Sequence, residues 1–359
     1  MIRHPISRIS FTGSLLVLVL AITSIPATAQ QRLDVRVDPR IELLGVVQLL
    51  AGGIPTATAL HFPYRERVEA HFGRFGDHPA VAMLRRLAKH GFVFDAPVIA
   101  LLNCSDPPEL ALRHTPAADG VQRGGGLDSL EAWLQVLRQF VTETGFAAFL
   151  DSNAAYYAEL ERSVTSQLEP DLVQRLEQYY GMRQDGGYAI VLSPLTQGGF
   201  GPRIEVAPGT FRLFSVASSS EYTADTLRFF TAAGLRTLVW HEFAHSFVNP
   251  LTEQYWSQLE PAAGLLDSIA ERLPAWYRQW KPALDEHIVR AVTARMVAKY
   301  RGGEEGKKAI EREVGWGFVY VPAIDSVLEE YERDRTRWPD FASFFPRIVT
   351  RISSLATPH

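Results

Sequence analysis

The stretch "LVWHEFAHSFVNP", Leu238 to Pro250, sets two histidines and a glutamate inside an otherwise apolar segment. No other feature restricts the fold as strongly, because imidazoles and a carboxylate withdrawn from water need partners. His241 and His245 are four residues apart, so on a helix both rings project from one side, one turn apart. Two imidazole nitrogens so placed can meet one Zn²⁺ at about 2.0–2.1 Å. Glu242 lies roughly 100° around the helix, poorly placed as a third ligand and well placed to take a proton from an attacking water. This is the H-E-x-x-H arrangement of zinc peptidases, in which zinc polarises the scissile carbonyl and the glutamate serves as general base and proton shuttle. The competing reading is two core histidines and a surface glutamate with no metal.

A catalytic zinc needs a third protein ligand and an open position. The elongated motif is absent, since Val248 and Leu251 stand where it has Gly and His. A downstream carboxylate is therefore expected. Glu253 follows closely on Pro250, Glu260 precedes Pro261, which pushes it out of helical geometry, and Glu271 lies near a helix end. Glu286 differs. It lies in "KPALDEHIVRAVTARMVAKY", which reads as a long helix with Pro282 in its first turn, and it shares a face with Val289, Thr293 and Val297. A carboxylate on an apolar face calls for a cation or hydrogen bonds, so Glu286 is the expected third ligand rather than a salt-bridged surface glutamate. His287 is next in line, as ligand or oxyanion stabiliser, with an ordinary helix-surface histidine as the competing role, and Arg290 can hold the Glu286 carboxylate or pair elsewhere. Tyr320, ahead of Tyr255, is the candidate phenol for the tetrahedral intermediate, with plain packing as the competing role.

The rest of the chain supplies context. Arg3, His4 and Arg8, the apolar "FTGSLLVLVLAITSI" and small residues at Ala27–Ala29 predict a signal peptide over 1–29, cleaved after Ala29. The apolar run is too short to favour a permanent membrane helix. A periplasmic or secreted protein is expected, with no stable membrane insertion after cleavage. The 359-residue chain has 36 basic and 40 acidic residues, net −4; cleavage removes two arginines and no acid, leaving 34 and 40, net −6. No basic tract suggests a nucleic-acid partner. Cys104 is the only cysteine, so no disulfide forms within the chain, and it reads as a small buried residue.

Residues 30–180 read as a mostly helical region, beginning with a helix over Asp38–Gly53 capped by Asp38 with Pro39 in its first turn. The texture then changes. "YAIVLSPL" (Tyr188–Leu195) is a strand, and "RIEVAPGTFRLFSVAS" adds two extended segments around a Pro-Gly turn, the only clear β region. A sheet edge beside a metal can hold an extended peptide, and "TQGGFGPR" (Thr196–Arg203) can flank it or be an ordinary hairpin loop. A helix is predicted from Thr223 to Val248, ended by Asn249-Pro250, with Leu227, Phe230, Gly234, Leu238, His241 and His245 along one face; Gly234 weakens it locally, so two helices rather than one are the alternative. Residues 181–359 form the expected catalytic region, with 30–359 as one continuous domain the alternative. The fold class is α+β, mostly helical, with a small mixed sheet before the active-site helix.

Four blocks carry a resemblance: "DPRIELLGVVQLLAG", "HEFAHSFVNPL", "EHIVRAV" and the closing "YERDRTRWPDFASFFPRI". Together they span nearly the whole mature chain. The chain resembles a group of exported bacterial proteins of unassigned function grouped with gluzincin-like metallopeptidases. That resemblance implies a zincin-like α+β core and supports Glu286, which falls in the block "EHIVRAV"; it implies no substrate. The expectation is an exported zinc metallopeptidase acting on a peptide or protein, with Zn²⁺ on His241, His245 and Glu286 and with Glu242 as base. The alternatives are a zincin-like binding protein without turnover and a zinc hydrolase of non-peptide amides.

Overall fold

The computed structural model describes Met1, residues 33–114, Pro116 and residues 118–356. The expected signal peptide, Met1 apart, lies outside the described residues. Among these no helix is long and apolar enough to cross a membrane.

Strand β1 (Leu33–Arg36) opens the fold. Asp38 then caps α1 (Pro39–Ala51): its carboxylate accepts from the Arg40 amide at 3.0 Å and Pro39 takes the first helical position. That carboxylate is fully buried, yet the guanidinium groups of Arg40 (2.6 Å) and Arg36 (2.7 Å) grip it. Burial disfavours its charge, but the Arg40 hydrogen bond and the two cations outweigh this and lower its pKa. The chain continues through α2 (Pro63–Phe72), α3 (Pro79–Ala88), α4 (Asp95–Leu102), α5 (Ala118–Arg123), α6 (Leu127–Thr144), α7 (Phe146–Ser152), α8 (Ala154–Thr165) and α9 (Leu172–Tyr180). The helical texture expected up to about residue 180 is present.

Then come β2 (Tyr188–Ser193), β3 (Gly199–Phe200), β4 (Arg203–Ala207) and β5 (Thr210–Ser218). β5 runs parallel to β2, with Val191 opposite Val216, while β3 and β4 pair antiparallel with its other side. Gly209, at φ +72°, supplies the left-handed turn between β4 and β5. β2 is buried throughout, as expected of a strand with parallel neighbours and covered faces. One strand corrects the sequence reading, which placed all clear β structure after Tyr188. β1 pairs parallel with β2, Leu33 opposite Tyr188, so α1 to α9 form the crossover between two neighbouring strands. Four residues, "LDVR", carry too little pattern to announce a partner 155 positions away. A short hairpin follows, β6 (Glu221–Thr223) and β7 (Thr226–Arg228), turned by Ala224 and Asp225 at positive φ.

The helix that carries the opening motif, α10, spans Ala232–Gln254, not Thr223–Val248. Thr231 caps it, accepting from the Gly234 amide at 3.1 Å, so Leu227 and Phe230 precede the helix. Pro250 does not end it. Proline forfeits one helical hydrogen bond, but the turn beyond is anchored by the Thr252 hydroxyl, which donates to Asp285 at 2.5 Å, and by the Tyr255 amide on the Leu251 carbonyl at 2.9 Å. The chain closes with α11 (Trp256–Leu259), two 3₁₀ turns (Glu260–Ser268 and Ala275–Tyr277), α12 (Trp280–Arg301), α13 (Gly303–Gly315), α14 (Val321–Arg333) and α15 (Phe341–Ala356). α10 is enclosed on several sides. Phe243 meets Tyr188 of the sheet at 5.0 Å, Phe247 stacks on Tyr180 at 4.2 Å, and the Trp240 indole donates to the Leu172 carbonyl and faces Tyr300 of α12. That enclosure is why the motif's surroundings are apolar in sequence.

Away from α10, Glu42 of α1 is buried beneath Tyr64, whose hydroxyl donates to it and lies 2.6 Å from that of Tyr157. Burial outweighs the hydrogen bond and pushes the Glu42 carboxyl up to about 7. An acid whose pKa rises on folding contributes stability below its unfolded value, and that contribution is lost as pH climbs through the folded value. Stability is expected to fall by roughly 3 kcal/mol through this group between about pH 4.5 and pH 7. Glu42→Gln removes that part of the slope. Urea unfolding at pH 5 and pH 8 checks it, and equal pH dependence in both proteins contradicts it.

Candidate metal centre

α10 and α12 bring the three expected ligands together. His241 and His245 approach with their Nε2 atoms 3.3 Å apart. Glu286 of α12 faces both, with Oε1 at 3.3 Å from His245 Nε2 and Oε2 at 3.6 Å from His241 Nε2. One donor atom from each residue lies within 4.8 Å of the others, so the group can hold a metal ion. The histidines are about 15% exposed and Glu286 is 5% exposed, so the donors are largely withdrawn from water without being sealed.

The surroundings fit the donors to such an ion. Asn249 Oδ1 lies 3.2 Å from His245 Nδ1. With the proton on Nδ1 and donated to Asn249, the Nε2 lone pair is turned to the shared space. Arg290 Nε donates to Glu286 Oε2 at 2.7 Å, and the Tyr277 phenol also hydrogen-bonds Glu286. Burial pushes the Glu286 carboxyl up, but Arg290, then His241 and His245, outweigh it and hold the group well below the usual carboxylate range. Burial also keeps His241 neutral. On His245 burial opposes charge, but the hydrogen bond and charge of Glu286 prevail and raise its pKa to about 9. A cation binding there displaces that proton.

Glu242 stands on the neighbouring face of α10, 5% exposed. Burial, with the Glu286 charge adding to it, outweighs His245 and Arg290 and raises its carboxyl to about 7. β3 passes directly over it. A Cβ on Gly199 would fall inside contact distance of Glu242 Oε1, and one on Gly201 would collide with the Glu242 carbonyl oxygen. The segment "TQGGFGPR" thus has a packing requirement at two glycines; its first residue, Thr196, bridges to Ala57, and β3 within it lies at the sheet edge beside the candidate base.

The other sequence candidates are placed elsewhere. The Tyr320 hydroxyl donates to the Leu265 carbonyl at 2.8 Å and lies 2.9 Å from Ser268 Oγ, and its ring packs on His287. Tyr255 packs against Phe345. His287 donates through Nδ1 to the Ala283 carbonyl at 2.6 Å, lies between Phe318 and Tyr320, and stays neutral because burial lowers its pKa to about 4. Glu253 is exposed beside Lys281, and Glu260 and Glu271 are exposed. The phenol that reaches the ligand group is Tyr277, on the turn Ala275–Tyr277. The sequence reading missed it, since "PAWYRQW" carries no periodicity and its contact depends on how the turn folds back on α12.

The structure defines an α+β protein with a buried group of two histidines and a glutamate between two helices that could hold a metal ion. The chain belongs to the family described as Domain of unknown function (DUF4932), whose model matches residues 33–351. No curated protein and no solved structure matches it.

Because the Gly201 Cα faces backbone that has no room to yield, Gly201→Ala is expected to destabilise the fold by about 1–3 kcal/mol, the usual range for overpacking. Thermal unfolding checks this, and an unchanged midpoint contradicts the close approach of β3 to α10.

Proposed function

We propose that the chain is an exported zinc-dependent metallopeptidase with a gluzincin-like site. The observation that carries the reading is the convergence of His241 Nε2, His245 Nε2 and the Glu286 carboxylate, with Glu242 buried beside them. Two imidazoles and one carboxylate are the donor chemistry of a catalytic zinc rather than a closed structural one, which draws on cysteines. Bound there, zinc would supply Lewis-acid polarisation of the scissile carbonyl and activation of the attacking water.

The chain's own residues supply the rest. Glu242, with a pKa of about 7, suits a group that accepts a proton near neutral pH and returns it to the leaving amine. Asn249 orients His245, while Arg290 and Tyr277 orient Glu286. Peptide rather than another amide is favoured by the sheet edge. Beyond the bridge of Thr196 to Ala57, no further strand among the described residues pairs outside β3 and β4, and β3 runs against Glu242, so an extended peptide added at β3 would meet the site.

The purified mature chain is expected to carry about one zinc, lost or much weakened in Glu286→Ala. Glu242→Gln is expected to keep the zinc and lose cleavage of a peptide library by at least about 100-fold. Full activity of Glu242→Gln contradicts the reading. Retained zinc with no peptide cleaved by the wild type moves the assignment to a binding protein or a hydrolase of other amides.

A further inference from the structure

We infer that Arg290 is a positioning residue that takes one oxygen of Glu286 for itself and presents the other, with the two Nε2 atoms, as the donor set. This rests on the metal reading above. Four groups face the Glu286 carboxylate: Arg290 Nε at 2.7 Å on Oε2, His241 Nε2 at 3.6 Å on Oε2, His245 Nε2 at 3.3 Å on Oε1, and the Tyr277 phenol. The Arg290 bond, at 2.7 Å, is shorter than either imidazole approach, and it is charge-assisted, so it fixes which oxygen is turned away from His245.

Arg290 is itself immobilised. Its Nη1 donates to Glu313 of α13 at 2.5 Å, and its guanidinium lies 3.9 Å from the centre of the Phe318 ring. Glu313 is buried, so this far end is anchored away from solvent. α13 can bring Glu313 there because Gly306, two turns earlier, packs directly on Ala298 of α12, where a Cβ would collide. A planar fork that bonds two carboxylates through different nitrogens while stacking on an aromatic face is a task for arginine; a lysine ammonium is a point charge on a flexible stem and cannot span it. Arg290 follows Glu286 by one helical turn, so the orientation of the ligand is set within α12 and locked from α13.

The test uses cobalt(II) added to the full mature chain, read by its visible absorption band and by titration, with far-UV circular dichroism as the check on folding. Arg290→Lys and Arg290→Met are expected to bind cobalt roughly 10–100-fold more weakly than wild type and to change the band, because the freed carboxylate reorients on the ion. The lysine variant, which keeps the charge, is not expected to rescue either readout. Wild-type affinity and an unchanged band in folded Arg290→Lys overturn the inference. Where loss of Arg290 prevents folding, Glu313→Gln carries the test: weaker cobalt binding in a folded chain supports the inference and wild-type binding overturns it. A wild-type chain that takes up no cobalt overturns the metal reading and this inference together, whereas equal uptake by wild type and Arg290→Lys overturns only the role of Arg290.

Discussion

The buried carboxylate of Glu286 sets the terms for everything around it. A carboxylate taken out of water costs several kcal/mol unless charge and hydrogen bonds compensate. Here the compensation comes from three directions: Arg290 on its own helix, the Tyr277 phenol from the turn before α12, and the two imidazoles of α10. Arg290 in turn is satisfied by Glu313 and Phe318. The result is an anion kept ionised in a low-dielectric place, facing two nitrogens whose spacing the helix fixes. Converging donors of that kind are a group that could hold a cation.

The fold delivers that site through close packing. α10 is held between the sheet, through Phe243 on Tyr188, and α12, through Trp240 near Tyr300 and Thr252 on Asp285. The Thr252–Asp285 bond lies one residue from Glu286 and two turns beyond His245, so it fixes the helices relative to each other near the candidate ligands. On the other side, β3 and the residue that follows it approach α10 with glycines at 199 and 201, which keeps this segment against Glu242. The long helical segment α1 to α9 returns the chain so that β1 completes the sheet beside β2.

Much of the candidate site could be read from the sequence because its information is local. His241, Glu242 and His245 lie within one and a half turns, and Glu286 was marked by an acid on the apolar face of a well-bounded helix. The cap at Asp38 and the hairpin around Gly209 were legible for the same reason. What was not legible depends on partners distant in the chain. Pro250 reads as a helix end, yet the bond from Thr252 to Asp285 keeps the helix going. β1 is visible only through β2. The sequence offers Tyr320, ahead of Tyr255, as the phenol, and the fold of one short turn brings Tyr277 to Glu286 instead.

Zinc K-edge X-ray absorption on the zinc-loaded mature chain tests the central claim most directly. The account predicts one zinc per chain with two imidazole nitrogens and a carboxylate oxygen in its first shell, at about 2.0–2.1 Å. A chain that retains no zinc, or whose zinc shell lacks two imidazoles, contradicts it and returns His241, His245 and Glu286 to the standing of a buried hydrogen-bonded cluster.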